Sequence, residues 1–81
     1  MKMKLLGEVV TNPSDDNIAI ATLVRVVATS AGLVELKKVG GVAYSPAKEI
    51  YMAANSSIDL VKNSTDVISC TGKCSPIAYI S

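Results

Sequence analysis

Histidine, tryptophan and phenylalanine are all absent from this chain of 81 residues. Without histidine, the serine–histidine and cysteine–histidine pairs that activate many enzyme nucleophiles have no base. Without tryptophan and phenylalanine, the core has to be built from aliphatic side chains, and only three tyrosines remain as platforms on which single-stranded nucleic acids stack. The sequence therefore predicts a protein that is not an enzyme, with no catalytic residue, no cofactor and no small-molecule substrate.

A strong charge of either sign is also absent. Eight lysines and arginines against seven aspartates and glutamates give a formal net charge of +1, whereas nucleic-acid-binding domains are commonly strongly basic. The balance differs locally, because Lys37, Lys38 and Lys48 lie in one region of the sequence with only Glu35 and Glu49 at its edges. A modest basic patch is expected there.

Long hydrophobic segments are missing too. The most apolar run, residues 18–34, barely reaches the minimum of about 17 residues for a membrane span, and it contains Arg25 and is broken by Gly32. The first residues reach Glu8 and Pro13 without the apolar core of a signal peptide. These absences predict a cytoplasmic protein that does not enter a membrane.

The residues that are plentiful are aliphatic, and hydrophobic residues make up 49% of the chain. A core in a domain this small supplies only roughly 3–5 kcal/mol of stability on its own. An apolar excess in so short a chain is typical of a protein with a subunit interface. We expect a single domain, residues 1–81, that forms a homodimer or a larger homo-oligomer.

The hydrophobic pattern predicts two helices among four strands. Ser14, Asp15 and Asp16 cap a first helix that runs to Gly32, although its β-branched residues would also suit a buried strand. Ser45 and Pro46 are typical of a helix start, and the second helix extends from there to about residue 63. Strands are predicted over residues 4–10, 33–39, 66–71 and 76–80.

The resulting element order is β-α-β-α-β-β. Because βαβ crossovers are right-handed, both helices should lie on one face of a four-stranded mixed sheet. The predicted fold class is α/β, an α+β two-layer sandwich whose second sheet face is free for pairing or binding.

A glycine pair, Gly40 and Gly41, precedes the predicted start of the second helix. It has neither the spacing of a Walker loop nor that of a dinucleotide-binding loop. One interpretation is a tight turn that packs the helix against the sheet. The other is an anion-binding turn, whose amides, together with the helix end and Lys48, receive a backbone phosphate.

Several short segments resemble a known family. Residues 34–36 and 39–41 form a strand that leads into a small-residue turn, and residues 46–47 and 53–54 supply an alanine-rich helix. Together with the loop at 11–14, they are similar to the stage V sporulation protein S family, which is related in fold to the archaeal chromatin protein Alba. Over residues 4–72 the resemblance implies an Alba-like, dimeric, nucleic-acid-associated protein without catalytic activity.

Carried over by position, the resemblance implies phosphate contacts from basic side chains and a turn shaped by small residues. The departures are Asp15 and Asp16, which stand in the first loop where Alba-like proteins have lysines.

The predicted function is weak DNA or RNA binding through the phosphate backbone by a small dimer. The alternative is an oligomeric protein–protein interaction or scaffold module that binds no nucleic acid. The predicted nucleic-acid-binding residues are Lys37, Lys38, Gly40, Gly41, Ser45, Lys48 and Lys73.

Two cysteines, Cys70 and Cys74, flank a predicted turn at Gly72. Their spacing leaves three interpretations open: free thiols, a disulfide across the turn, or half of a zinc site shared between two chains. A reducing cytoplasm favours free thiols. Since one chain offers only these two ligands and no histidine, no metal site is predicted.

Overall fold

The computed structural model describes residues 2–80, and these residues form two antiparallel β-sheets with no α-helix. A 3₁₀ turn, Val39–Gly41, interrupts the strands. The strands are β1 (Lys2–Leu5), β2 (Val10–Thr11), β3 (Leu23–Ala28), β4 (Gly32–Lys38), β5 (Val42–Met52), β6 (Ser57–Val61), β7 (Val67–Ser69) and β8 (Gly72–Ile80).

The larger sheet has five strands in the order β1-β8-β3-β6, and β2 also pairs with β8. β1 pairs with residues 77–80 of β8, and β2 pairs with Lys73 and Cys74. Pro76 lies between these two pairings, where the edge strand is interrupted. Pro76 lies opposite Val24 of β3, and its carbonyl faces the other way and accepts from the N–H of Leu6 at 2.9 Å. The missing N–H therefore falls in the gap between β1 and β2, where a proline is tolerated.

The smaller sheet has three strands in the order β5-β4-β7. The register of β4 with β5 shifts between Leu36, which lies opposite Lys48, and Lys37, which lies opposite Ala43. Residues 44–47 are therefore bulged out of the ladder, and the Ser45–Pro46 peptide bond within this bulge is cis.

The core is aliphatic, as the absence of tryptophan and phenylalanine predicts. Along β3, Val24, Val26 and Ala28 point inward and are buried, whereas Arg25 and Val27 point outward. This alternation suits β-branched residues in a strand with one buried face. The buried cluster consists of Ile18, Ala21, Val24, Val26, Ala28, Val34, Met52, Ile68 and Cys74.

The two-helix prediction is wrong. Residues expected in the first helix form a loop and then β3, and the second predicted helix is replaced by β5, a turn and β6. The α/β, Alba-like sandwich is therefore also wrong. The β-branched segment forms the strand β3, which is the alternative that its sequence left open. Within residues 2–80, no helix is long and apolar enough to cross a membrane.

Candidate functional site

An open cleft of about 400 Å³, which we call the interstrand cleft, lies between the two sheets. It lies where the inner side of β4 and β5 separates from β6. Four consecutive residues of β5 line it, so the strand contributes its edge as well as one face. The lining residues are Val34, Leu36, Ala47, Lys48, Glu49, Ile50, Ile58, Leu60 and Val61.

Both strands that border the interstrand cleft are sheet edges. Among residues 2–80, β5 pairs only with β4, and β6 pairs only with β3. No backbone hydrogen bond joins β5 to β6 in the part of the chain that the structure describes. Each edge consequently presents backbone N–H and C=O groups that have no partner strand.

The floor of the interstrand cleft is apolar. Val34 is buried and Leu36 is half-buried, and both continue into the core. Ile50 and Val61 stand at the rim, where 46% and 75% of their surface is exposed. Apolar side chains of this size gain free energy when a partner covers them.

At one end of the cleft, the bulge of β5 places Tyr44 between two lysines. The Nζ atoms of Lys48 and Lys38 lie 4.3 and 5.5 Å from the centre of the Tyr44 ring, within the range of cation–π attraction. The Tyr44 hydroxyl donates to both carboxylate oxygens of Asp66, at 2.7 and 2.8 Å. This hydrogen bond raises the pKa of Tyr44, and burial adds to the effect.

The carboxylate that Tyr44 binds is buried beside a buried lysine. Asp66 is 4% exposed and also accepts a hydrogen bond from the backbone N–H of Asn63 at 3.2 Å. Lys62 is 5% exposed, and its ammonium donates to the carbonyl of Asn63 at 3.1 Å. Burial lowers the pKa of Lys62, while the negative charges of Asp66 and Asp16 oppose that shift. These contacts fix the base of the bulge.

Glutamates face each other across β4 and β5. Glu35 lies directly opposite Glu49 in the ladder, a placement that like charges make unfavourable. The ammonium of Lys37 lies 3.8 Å from Glu35 and 3.8 Å from Asp15. Glu49 has no ion-pair partner among residues 2–80. One negative charge is therefore left uncompensated beside the edge of β5, on the face opposite to Val34 and Leu36.

The structure brings only some of the predicted phosphate-binding residues together. Lys38 and Lys48 share the Tyr44 ring, while Lys37 is engaged by two carboxylates. Ser45 is exposed in the bulge and begins no helix. Lys73 lies in the other sheet, opposite Thr11 and Val27.

The glycine pair forms the 3₁₀ turn, in which Gly40 and Gly41 have φ angles of 78° and 80°. A Cβ at Gly41 would lie 2.8 Å from a carboxylate oxygen of Asp15. A negative side chain therefore lies beside this turn, and no helix follows it. The helix start on which the predicted phosphate site depended is therefore wrong. Nothing in the structure supports nucleic-acid binding, which stays a prediction.

The sequence pattern predicted a single helix from Pro46 to about residue 63. The edges of β5 and β6 that border the interstrand cleft both lie in that segment, so the cleft was not predicted. A signal was present in residues 57–61, where Ile58 and Leu60 alternate with Ser57 and Asp59. That period of two is typical of a half-buried strand.

The chain was compared with protein-family models, curated proteins and solved structures, and none of them matches it. The resemblance to the sporulation protein family stays a prediction, and the site has to be interpreted from its own geometry.

Proposed function

We propose that this protein is a binding module that accepts an extended segment of another polypeptide in the interstrand cleft. The segment adds as a β-strand, with its backbone hydrogen-bonded to the free edge of β5, of β6 or of both. The observation that carries this proposal is that two strand edges without a partner border one apolar cleft.

The edges themselves favour a strand over a compact ligand. Proteins usually protect exposed edges with lysines, prolines or bulges. β5 has all three around Pro46 and Lys48, but β6 has none of them. The only charged residue of β6, Asp59, is bound to Arg25 by hydrogen bonds of 2.8 and 3.0 Å. β6 is thus a little-protected edge beside an apolar floor.

A separate polypeptide fits the cleft better than a second folded copy of this chain does. Every strand within residues 2–80 already belongs to a sheet, so a second copy has no free strand to insert. A folded copy can only pair edge to edge, which leaves one wall of the cleft unused.

The side chains of the cleft indicate what kind of segment binds. Alternate residues of a bound strand point to the same face, so those facing Leu36 and Leu60 should be apolar. A lysine or arginine among the residues that point to the opposite face would lie beside Glu49 and compensate the charge that Lys37 leaves unpaired. The proposed ligand is therefore an extended segment with alternating apolar residues and one basic residue. The cytoplasmic location expected from the sequence is part of the same proposal.

The test uses a fluorescent peptide of about six residues that alternates valine with threonine and ends in lysine. We expect saturable binding to the full chain by fluorescence anisotropy. The same peptide with alternate backbone amides N-methylated keeps its side chains but loses donors along one edge. Because each lost hydrogen bond costs about 0.5–1.5 kcal/mol, it should bind at least about tenfold more weakly.

Two variants locate the peptide. Ile50→Ser removes an apolar contact in the cleft and should weaken binding by about tenfold. Val42→Ser is the matched control, because Val42 lies on the same strand, is 58% exposed and does not line the cleft. Glu49→Gln should weaken the lysine peptide by roughly two- to fivefold, as expected for an exposed charge pair.

Three results would contradict the proposal. They are equal affinity for the methylated and unmethylated peptides, equal losses in Ile50→Ser and Val42→Ser, or no binding at all. Sedimentation at several protein concentrations tests whether a second copy of this chain occupies the cleft. A dimer that Ile50→Ser dissociates would show that a second copy covers the cleft, and the proposed ligand would be wrong.

A further inference from the structure

A second chemical feature lies away from the interstrand cleft, at the connection between β7 and β8. The sulfur atoms of Cys70 and Cys74 are 3.6 Å apart, and both are free thiols. Cys74 is fully buried opposite Val26 of β3, while Cys70 is half-buried just beyond β7. The two thiols thus differ in access to solvent although they touch each other.

The backbone around the two cysteines is held by the loop after β2. The N–H of Cys70 donates to the carbonyl of Pro13 at 3.1 Å. The N–H of Gly72 donates to the side-chain oxygen of Asn12 at 3.0 Å, and the N–H of Asn12 donates to the Gly72 carbonyl at 2.7 Å. These three hydrogen bonds position the turn, so the contact between the sulfurs does not depend on the cysteines alone.

The environment also distinguishes the two thiols chemically. A hydrogen bond from Cys74 stabilises the thiolate of Cys70 and lowers its pKa, although burial opposes this shift. The same hydrogen bond, followed by burial, raises the pKa of Cys74. Since the thiolate is the nucleophile, the lowered pKa of Cys70 and its greater exposure both favour Cys70 over Cys74 as the attacking sulfur.

We propose that Cys70 and Cys74 form a redox-reversible modification site, which low-molecular-weight disulfides oxidise to an intramolecular disulfide. The thiolate of Cys70 attacks one sulfur of glutathione disulfide, a mixed disulfide forms, and one glutathione thiolate leaves and takes up a proton. Cys74 then loses its proton to solvent and attacks the sulfur of Cys70, which releases the second glutathione. Two protein thiols are oxidised and one glutathione disulfide is reduced to two thiols.

The geometry suits this ring closure. A disulfide joins its sulfurs at about 2.05 Å, so the two atoms have to approach by about 1.5 Å from where they stand. Cys74 is fixed in the core, whereas Cys70 lies at the more exposed end of the turn. The remaining approach should therefore fall to Cys70, which is less buried, and not to Cys74 in the core.

The experiment exposes the full-length reduced protein to excess glutathione disulfide under native conditions. We expect titratable thiols to fall from two per chain to none, and the intact mass to fall by that of two hydrogen atoms. A reductant such as dithiothreitol should restore both thiols. In Cys74→Ala the reaction should stop at a stable glutathione adduct on Cys70. In Cys70→Ala the buried Cys74 should react many-fold more slowly.

Other outcomes would overturn the proposal. They are a wild-type protein that keeps both thiols, a glutathione adduct that persists on the wild type, or disulfide-linked dimers. A Cys74 that reacts in Cys70→Ala as fast as Cys70 does in Cys74→Ala would contradict the assigned order of attack. If either variant fails to fold, the thiol count and mass of the wild-type protein decide the question alone.

Discussion

Arg25 and Asp59 lie directly opposite each other on β3 and β6, and the guanidinium binds both carboxylate oxygens, at 2.8 and 3.0 Å. Tyr79 of β8 joins the pair, since its hydroxyl accepts a hydrogen bond from Arg25 at 2.8 Å and donates one to Asp59. A single group of polar side chains thus links three neighbouring strands on the outer face of the larger sheet. In the described part of the chain β6 pairs with no strand other than β3, so this group supports the ladder that holds one wall of the interstrand cleft.

The first prediction concerns the stability of the fold at acidic pH. The hydrogen bond from Arg25, helped by that from Tyr79, lowers the pKa of Asp59 from 3.8 to about 2. A carboxyl whose pKa is lower in the folded state stabilises that state above its unfolded pKa. This contribution should be lost as the pH falls from about 4 to about 2. Urea unfolding measures this contribution: the difference in urea midpoint between the wild type and Asp59→Asn should shrink as the pH falls through this window.

Arg25→Gln is the control for this acid effect, because it removes the largest cause of the lowered pKa of Asp59. In that background the pKa of Asp59 returns toward 3.8, so the difference in stability that Asp59→Asn makes should change little between pH about 4 and about 2. A difference between wild type and Asp59→Asn that stays constant from neutral pH to pH about 2 would contradict the prediction.

The second prediction concerns the bulge of β5. Tyr44→Phe removes the hydroxyl that donates to the buried Asp66, and a buried carboxylate that loses a donor is costly. We expect a clear fall in melting temperature at neutral pH. Tyr51→Phe is the matched control, since Tyr51 lies on the same strand and is 67% exposed.

The pH dependence of the Tyr44→Phe effect follows from the raised pKa of Tyr44. A group whose pKa is higher in the folded state contributes its stability below the unfolded pKa, here 10.0, and loses it as the pH rises through the folded value. The difference in melting temperature between wild type and Tyr44→Phe should therefore be largest below pH 10.0 and shrink above it. A difference that grows in alkali would show that Asp66 is not the partner that matters.

Part of the fold was predictable from the sequence. β4, β7 and β8 lie where strands were predicted, and the core is aliphatic as expected. The segment that became β3 satisfies two patterns at once, because Val24 and Val27 fit a helical spacing while Val24 and Val26 fit a strand. The apolar Val27 is 37% exposed, and this outward residue concealed the alternation that would have identified a strand.

The second error came from a local signal that tertiary structure overrides. Ser45 and Pro46 are typical of a helix start, but here they lie in the bulge that carries Tyr44 to Asp66. The contact spans 22 positions of sequence, and no local pattern reports it. The interstrand cleft could not be predicted for the same reason, because its walls meet only after the two sheets have formed.

The third prediction concerns Gly72, which begins β8. Its φ is 155°, and a Cβ there would lie 2.2 Å from the carbonyl oxygen of Val27. A backbone atom of the neighbouring strand has little room to move, so Gly72→Ala should cost at least about 2 kcal/mol in the free energy of unfolding. In Gly32→Ala nothing lies within 4 Å of the added methyl group, and the change should stay within about 1 kcal/mol. Similar urea midpoints for the two variants would contradict the prediction.

The fourth prediction concerns the turn before β3. Ile18, Ala19 and Ile20 have φ angles of 52°, 55° and 54°, a left-handed conformation that costs roughly 1–2 kcal/mol per residue with a Cβ. The turn is retained because Ile18 is fully buried in the core and its N–H donates to the side chain of Asp16 at 2.7 Å.

Ala19 is exposed, so Ala19→Gly relieves this strain without removing a core contact. The greater freedom of glycine in the unfolded chain offsets part of the gain, and a net stabilisation of about 0.5–1 kcal/mol should remain. Ala31→Gly is the matched control, because Ala31 is exposed but is not among the residues with positive φ, and it should destabilise by about 0.5 kcal/mol. Urea unfolding of both variants measures the two signs. If Ala19→Gly destabilises as much as Ala31→Gly, the left-handed turn is not strained in the folded protein.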